Sequence, residues 1–242
     1  MEVWRLAGIK PGQTAIDAGC GPGYASLDLA EIVGPRGRVV AIDKSGRFLD
    51  WLRSTGGEPQ NGSLVTHCLD LEGVEFPALH ADFAWCRWVL SFVANPEDVL
   101  AKITGALGPS GAIAMHEYFD YSTWRTMPPC PELDRFVSAV MTSWRAGGGE
   151  PDIALALPRV LERLGMALTH IRPIVEATQP GEMLWAWLRE FIRTGRKRLV
   201  QLGFLSGAES ESIWREFTRL EAEPGARMIT PGVLEIVALR RN

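Results

Sequence analysis

No stretch of the chain approaches the roughly 18 uninterrupted apolar residues of a membrane-spanning helix, and no secretory leader opens it. A soluble, cytoplasmic protein without a membrane span is the expectation. Cysteine is scarce. Cys20, Cys68, Cys86 and Cys130 form no Cys-x-x-Cys pair and hold no metal-ligand spacing to His67, His80, His116 or His170. They read as reduced, mostly core thiols, which leaves neither a disulfide framework nor a metal site. An excess of one charge is missing too: 25 Lys and Arg face 29 Asp and Glu, a net charge of −4, so there is no electrostatic footprint for nucleic acid. Internal repeats and low-complexity segments are lacking. The 242 residues that remain suffice for one large α/β domain with insertions, or for a core with a small lid.

What is present centres on Thr14-Ala15-Ile16-Asp17-Ala18-Gly19-Cys20-Gly21-Pro22-Gly23-Tyr24, an apolar strand that runs into three close glycines. Glycine takes positive φ and lets a ligand approach the main chain. A helix expected over residues 24–33 then presents its N-terminal amides to the loop. A dinucleotide site reads G-x-G-x-x-G with a pyrophosphate on the helix N-terminus. Here the third glycine comes one residue early and Asp17 precedes the loop. A carboxylate repels a pyrophosphate and attracts an ammonium or a sulfonium.

Asp17 to Gly23 resembles the first motif of the class I S-adenosylmethionine-dependent methyltransferases. The resemblance implies S-adenosyl-L-methionine as cofactor, S-adenosyl-L-homocysteine as product, and Asp17, Gly19, Cys20, Gly21 and Gly23 at the cofactor. It also implies a doubly wound, Rossmann-like sheet of seven strands in the order 3-2-1-4-5-7-6, the last antiparallel. It covers residues 12–118 well and the rest only as a pattern of elements.

Downstream, Gly34-Pro35 stops the helix and Arg38 to Asp43 is an apolar run suited to a buried parallel strand. Asp43, at the tip of this second strand, can accept two hydrogen bonds from ribose hydroxyls, the place where the family has its ribose acid. The family's next residue is commonly apolar over the adenine; here Lys44 would pack through its aliphatic stem. A third strand, Leu64 to Leu69, ends at Asp70. In the family the acid here meets the adenine amino group and the following amide a ring nitrogen, roles that fall to Asp70 and Leu71. The fourth strand, Asp82 to Val89, brings Cys86 and Arg87 to the methionine end. Arg87 either pairs with a carboxylate or serves as a structural ion-pair partner. The Asn/Asp-Pro-Pro-aromatic motif of base-specific amino-methyltransferases is missing, which disfavours nucleic-acid bases as acceptors. Asn95-Pro96-Glu97-Asp98 starts a helix.

The fifth strand, Ala112 to Tyr118, ends in His116, Glu117 and Tyr118. Glu117 and His116 are the candidates for a general base, on opposite faces of the strand; a structural role for either is equally open. Residues 119–150, aromatic and proline-rich, read as an insertion that is not a sheet element and that walls the acceptor pocket. A helical run begins or kinks at Pro158, a sixth strand spans 166–175, and a second insertion covers 178–226. In it an amphipathic helix runs over 181–194 and, after the capping-box pattern Ser206 to Glu209, another reaches about 221. Arg193, Arg196, Lys197 and Arg198 read as a solvated helix end, with a phosphate or carboxylate contact as the alternative. A final strand spans 233–239. The expectation is one methyltransferase domain over residues 1–242 with an acceptor cap, similar to the quinone-biosynthesis branch, monomeric or homodimeric, that methylates a small molecule on O, C or N. A non-catalytic S-adenosylmethionine-binding protein and a nicotinamide-dependent oxidoreductase are the alternatives.

Overall fold

The computed structural model describes residues 2–55, 63–73 and 79–241. After a short helix α1 (Glu2–Leu6), strands and helices alternate. They are β1 (Thr14–Ala18), α2 (Tyr24–Val33), β2 (Arg38–Asp43), α3 (Gly46–Thr55), β3 (Leu64–Cys68), β4 (Ala81–Arg87), α4 (Pro96–Gly105) and β5 (Leu107–Asp120). The punctuation is local. Gly34 takes φ 64° where α2 stops, and the Asn95 side chain accepts from the Asp98 amide ahead of α4, with Pro96 in the first turn, as the capping preferences require.

The second half comprises β6 (Arg125–Met127), α5 (Pro131–Ala146), α6 (Leu157–Arg163), β7 (Met166–Ile174), β8 (Ala177–Thr178), α7 (Met183–Gln201), α8 (Gly207–Glu221), β9 (Arg227–Ile229) and β10 (Gly232–Arg240). The large sheet has the order β3-β2-β1-β4-β5-β10-β7, with β10 antiparallel to its neighbours. That is the expected topology. In-register parallel pairing sets Asp17 beside Ala41 and Trp85, and Asp43 beside Cys68, so the strands end at one edge, where open α/β sheets bind ligands.

The chain divides into two compact units: Met1–Glu117 with Ala154–Arg172 and Leu234–Asn242, and Tyr118–Ile153 with Pro173–Val233. On one face of the sheet in the first unit, Val3 and Trp4 of α1 and Leu29 and Val33 of α2 cover Ala15, Phe83, Trp85 and Ala114, and the rings of Trp4 and Trp85 meet edge to face at 5.5 Å. In the second unit β6, β9 and β8 form a three-stranded antiparallel sheet, with α5, α7 and α8 packed on one another.

Two expectations need correction here. Residues 119–150 are not free of sheet structure: they contain β6 and the sixteen-residue α5. Within this segment Tyr121 and Trp124 are buried at 2% and 0% exposure. Their rings pack against each other and against Trp144 and Phe136 within the second unit. Helix α7 runs to Gln201, through the basic cluster. Arg196 is therefore no solvated end: it is 6% exposed, bonds Ser210 Oγ at 3.0 Å and Glu211 at 2.8 Å, and lies over the Trp214 ring. Among the described residues no helix is long and apolar enough to cross a membrane, and no group of three or more His, Cys, Asp or Glu side chains is placed to hold a metal.

Candidate functional site

The glycine loop is built by its own backbone. Gly19, Gly21 and Gly23 all take positive φ, at 70°, 53° and 84°. The Gly19 and Cys20 amides donate to the Ile42 carbonyl at 2.8 and 2.9 Å, and the Gly23 amide to Cys20 at 2.9 Å. Asp43 locks the arrangement from the tip of β2: one carboxylate oxygen accepts from the Gly21 amide and the other from the Ser45 amide, both at 2.8 Å. A carboxylate has about four lone-pair sites, so two remain for an outside donor.

In front of this loop lies a cavity of about 280 Å³. Gly19, Gly21, Asp43, Lys44, Asp70 and Leu71 line one part of it, all named from the sequence; Phe48, Leu69, Trp88, Val89, Phe92 and Val93 line the rest. A Cβ built on Gly21 would meet no protein atom within 4 Å, so the loop leaves space there. Asp70 turns the chain by accepting from the Glu72 amide at 3.0 Å. Lys102 Nζ holds the same turn through the Leu71 and Glu72 carbonyls at 3.0 and 2.9 Å. A mostly apolar wall facing a few convergent polar groups is the usual make-up of a small-molecule site.

The remaining sequence candidates lie elsewhere. Cys20 and Cys86 are buried at 8% and 0% exposure, burial pushes both thiols far above their usual range, and neither lines the cavity. Gly23 is buried against Leu52. Arg87 lies over the Trp88 ring, 5.0 Å from its centre. Asp17 sits under the loop at 2% exposure, where its carboxylate accepts from Ser26 Oγ at 2.5 Å. Burial pushes the Asp17 carboxyl up to about 6 from an ordinary 3.8, against the Ser26 hydrogen bond and the Arg87 charge. The folded protein therefore keeps a proton that the unfolded chain releases, and stability falls as pH rises from about 4 to about 6. Asp17→Asn is expected to remove that slope and to add about 2–3 kcal/mol at neutral pH. Urea unfolding of both proteins at pH 4.5 and 7.5 checks this; parallel pH dependence would refute it.

The two base candidates separate clearly. Glu117 is 0% exposed, and both oxygens of its carboxylate accept hydrogen bonds from Val89, Leu90 and Ser91. Burial raises its pKa in spite of them. His116 faces the other side of β5, edge to face with Trp85 at 5.0 Å. Its Nε2 lies 2.9 Å from Glu235 on β10. The same carboxylate takes His170 Nε2 at 2.9 Å and Arg172 at 3.0 Å from β7. Burial raises the Glu235 carboxyl, but its hydrogen bonds from both histidines and the Arg172 charge outweigh this and hold it below the usual range. Burial lowers His116. An ionised Glu235 accepts, so Nε2 carries the His116 proton and Nδ1 keeps its lone pair. Glu235 on β10 and His170 and Arg172 on β7 are not legible as one group in the sequence, because two strands far apart in the chain bring them to His116. The one acid within the apolar run of β10, Glu235 among Leu234, Ile236 and Val237, is the available signal.

Residues 16–115 match the family model described as a methyltransferase domain, and in that segment the chain is similar to S-adenosylmethionine-dependent methyltransferases. A protein of transposon Tn4556 from Streptomyces fradiae is 28% identical over 207 residues, 84% of this chain and 56% of the relative. The ubiquinone/menaquinone biosynthesis C-methyltransferase UbiE of Ectopseudomonas mendocina is 31% identical over 118 residues, 47% of this chain and 45% of the relative. The chain spans about half the length of the curated relatives it matches. A crystal structure of an S-adenosylmethionine-dependent methyltransferase from Mesorhizobium loti superposes with a TM-score of 0.60 at 17% identity, covering 99% of this chain and 96% of that one.

Proposed function

We propose that the chain binds S-adenosylmethionine in the cavity at the glycine loop and transfers its methyl group to a small-molecule acceptor. The observation that carries this is Asp43: its two oxygens are tied to the Gly21 and Ser45 amides and keep two acceptor sites in a cavity that Asp70 and Leu71 also line. Asp43 suits a ribose, Asp70 and the Leu71 amide an adenine edge, and the stem of Lys44 the ring face. Bound there, the cofactor supplies a methyl group on a sulfonium, a good leaving group for in-line displacement. The chain's own residues then need to orient the acceptor, exclude water and, for a hydroxyl or an acidic carbon, take a proton. His116 Nδ1, with Glu235 fixing its tautomer, is the group we assign to that last step. The second unit, whose segments follow β5 and β7 in the chain, is assigned the choice of acceptor. A quinol-like or phenolic acceptor is the first class to try, because UbiE is among the relatives.

The test starts with calorimetric titration of S-adenosylhomocysteine, with a reduced nicotinamide dinucleotide as control. Binding of the first alone is expected; binding of the second alone would revive a dehydrogenase. A panel of phenols, quinols and amines then follows methyl transfer. His116→Asn is expected to lower kcat by about 10²-fold or more on a hydroxyl acceptor, with the cofactor Kd unchanged, and exchange of the second unit with that of a relative should move acceptor preference. Transfer to no acceptor would leave a cofactor-binding protein without catalysis. Unaltered kcat in His116→Asn would remove the assigned base.

A further inference from the structure

Trp88 has φ 54°, a left-handed backbone that a bulky side chain takes up only under constraint. Beyond Trp88 the chain makes a tight turn, with a 3₁₀ segment at Leu90–Phe92, and four donors of that turn converge on a single carboxylate. The Val89 and Leu90 amides reach Glu117 Oε1, each at 2.8 Å. Ser91 Oγ and the Ser91 amide reach Oε2 at 2.8 and 3.4 Å. The Trp88 amide is held as well, by the His116 carbonyl at 2.9 Å.

This turn is a wall of the cofactor cavity, through Trp88, Val89, Phe92 and Val93. Its Val89 side chain also lies directly over the glycine loop: a Cβ on Gly19 would fall 2.3 Å from Val89 Cγ2. A buried carboxylate is costly unless it is hydrogen-bonded, and Glu117 finds its partners in this one turn. A strained residue persists where its surroundings over-determine it, and four bonds to one fixed side chain do that.

We propose that Glu117 is a positioning residue for the cofactor. Its carboxylate holds the 88–93 turn, strained Trp88 included, in the shape that closes the cavity over Gly19. The role rests on the cofactor reading above and differs from base catalysis, since Glu117 reaches the site only through Val89, Leu90 and Ser91. In Glu117→Gln, one acceptor oxygen becomes an NH2 group facing N–H donors, so part of the clamp turns repulsive while side-chain length is kept. In Trp88→Gly, glycine adopts φ 54° without strain, and the turn no longer needs the clamp to hold that conformation.

The experiment is a double-mutant cycle on S-adenosylhomocysteine affinity, measured by calorimetry on the full chain. Glu117→Gln is expected to weaken binding about tenfold or more. In the Trp88→Gly background, which has its own loss from the missing indole, the same change is expected to cost less than about threefold. Glu117→Gln within about twofold of the wild type, or an equal loss in both backgrounds, would overturn the proposal. Should Glu117→Gln fail to fold, Ser91→Ala, which removes one donor of the four, carries the test: weakening of about threefold is expected, and unchanged binding overturns it. A wild type that does not bind would refute the cofactor reading and the clamp together; a wild type that binds beside an indifferent Glu117→Gln refutes the clamp alone.

Discussion

Asp43→Ala is expected to weaken S-adenosylhomocysteine binding about thirty-fold or more, about 2–4 kcal/mol. The loss has two sources. The carboxylate is the acceptor offered to the ribose, and it also receives the Gly21 and Ser45 amides, which alanine leaves without their partner. Asp43→Asn separates the sources. Its single amide oxygen satisfies one of the two backbone donors and its NH2 group faces the other, so an intermediate loss is expected, with the folded baseline kept. Calorimetry on the three proteins measures both effects. An alanine variant within about threefold of the wild type would mean that the cavity takes a ligand that does not use Asp43, and the cofactor's placement would fall with it.

Gly23→Ala is expected to have the largest effect on stability, a loss of about 2–5 kcal/mol. Part is backbone: φ 84° at the start of α2 is strained for any residue with a Cβ. The larger part is packing. The new methyl would lie 2.4 and 2.5 Å from the two Leu52 methyls, and Leu52 is 0% exposed in a cluster with Cys20, Ala41 and Leu49, which leaves it little room to retreat. Gly21→Ala is the control, since at φ 53° its Cβ meets nothing within 4 Å and only the backbone cost of about 1–2 kcal/mol applies. Denaturant unfolding of both variants gives the packing share by difference. A Gly23→Ala variant no less stable than Gly21→Ala would contradict the close contact with Leu52.

Where local chemistry decides structure, the sequence was readable residue by residue. Helix α2 and strand β2 begin and end where the glycine loop, Gly34-Pro35 and Asp43 place them, and the capping box of Ser206 and Glu209 starts α8. Helix α5 was hidden by its own flanks. The apolar spacing Leu133, Phe136, Val137, Val140 is helical, but it comes after Pro128, Pro129 and Pro131, which read as loop; Pro131 is in fact the first helical residue, with Glu132 and Asp134 in the first turn. The C-terminal half of α7 is masked in the sequence by its charges, although Ile192, Arg196 and Leu199 continue one buried stripe. At the site, the glycines and acids were legible because loop chemistry needs those residue types in that spacing. The apolar wall from Trp88 to Val93 was not. Its shape comes from a left-handed tryptophan and a carboxylate 26 to 28 residues further along, and no local pattern announces a contact of that range.

The position of β10 has a consequence for how the protein is made. It occupies the slot between β5 and β7 yet follows both in chain order. While a ribosome is still supplying residues 232–240, the flanks of β5 and β7 that later receive this strand carry unpaired amides and carbonyls. Such edges invite pairing with other chains, and contacts this distant in sequence form slowly. The emerging polypeptide is therefore exposed to aggregation in the interval before β10 arrives.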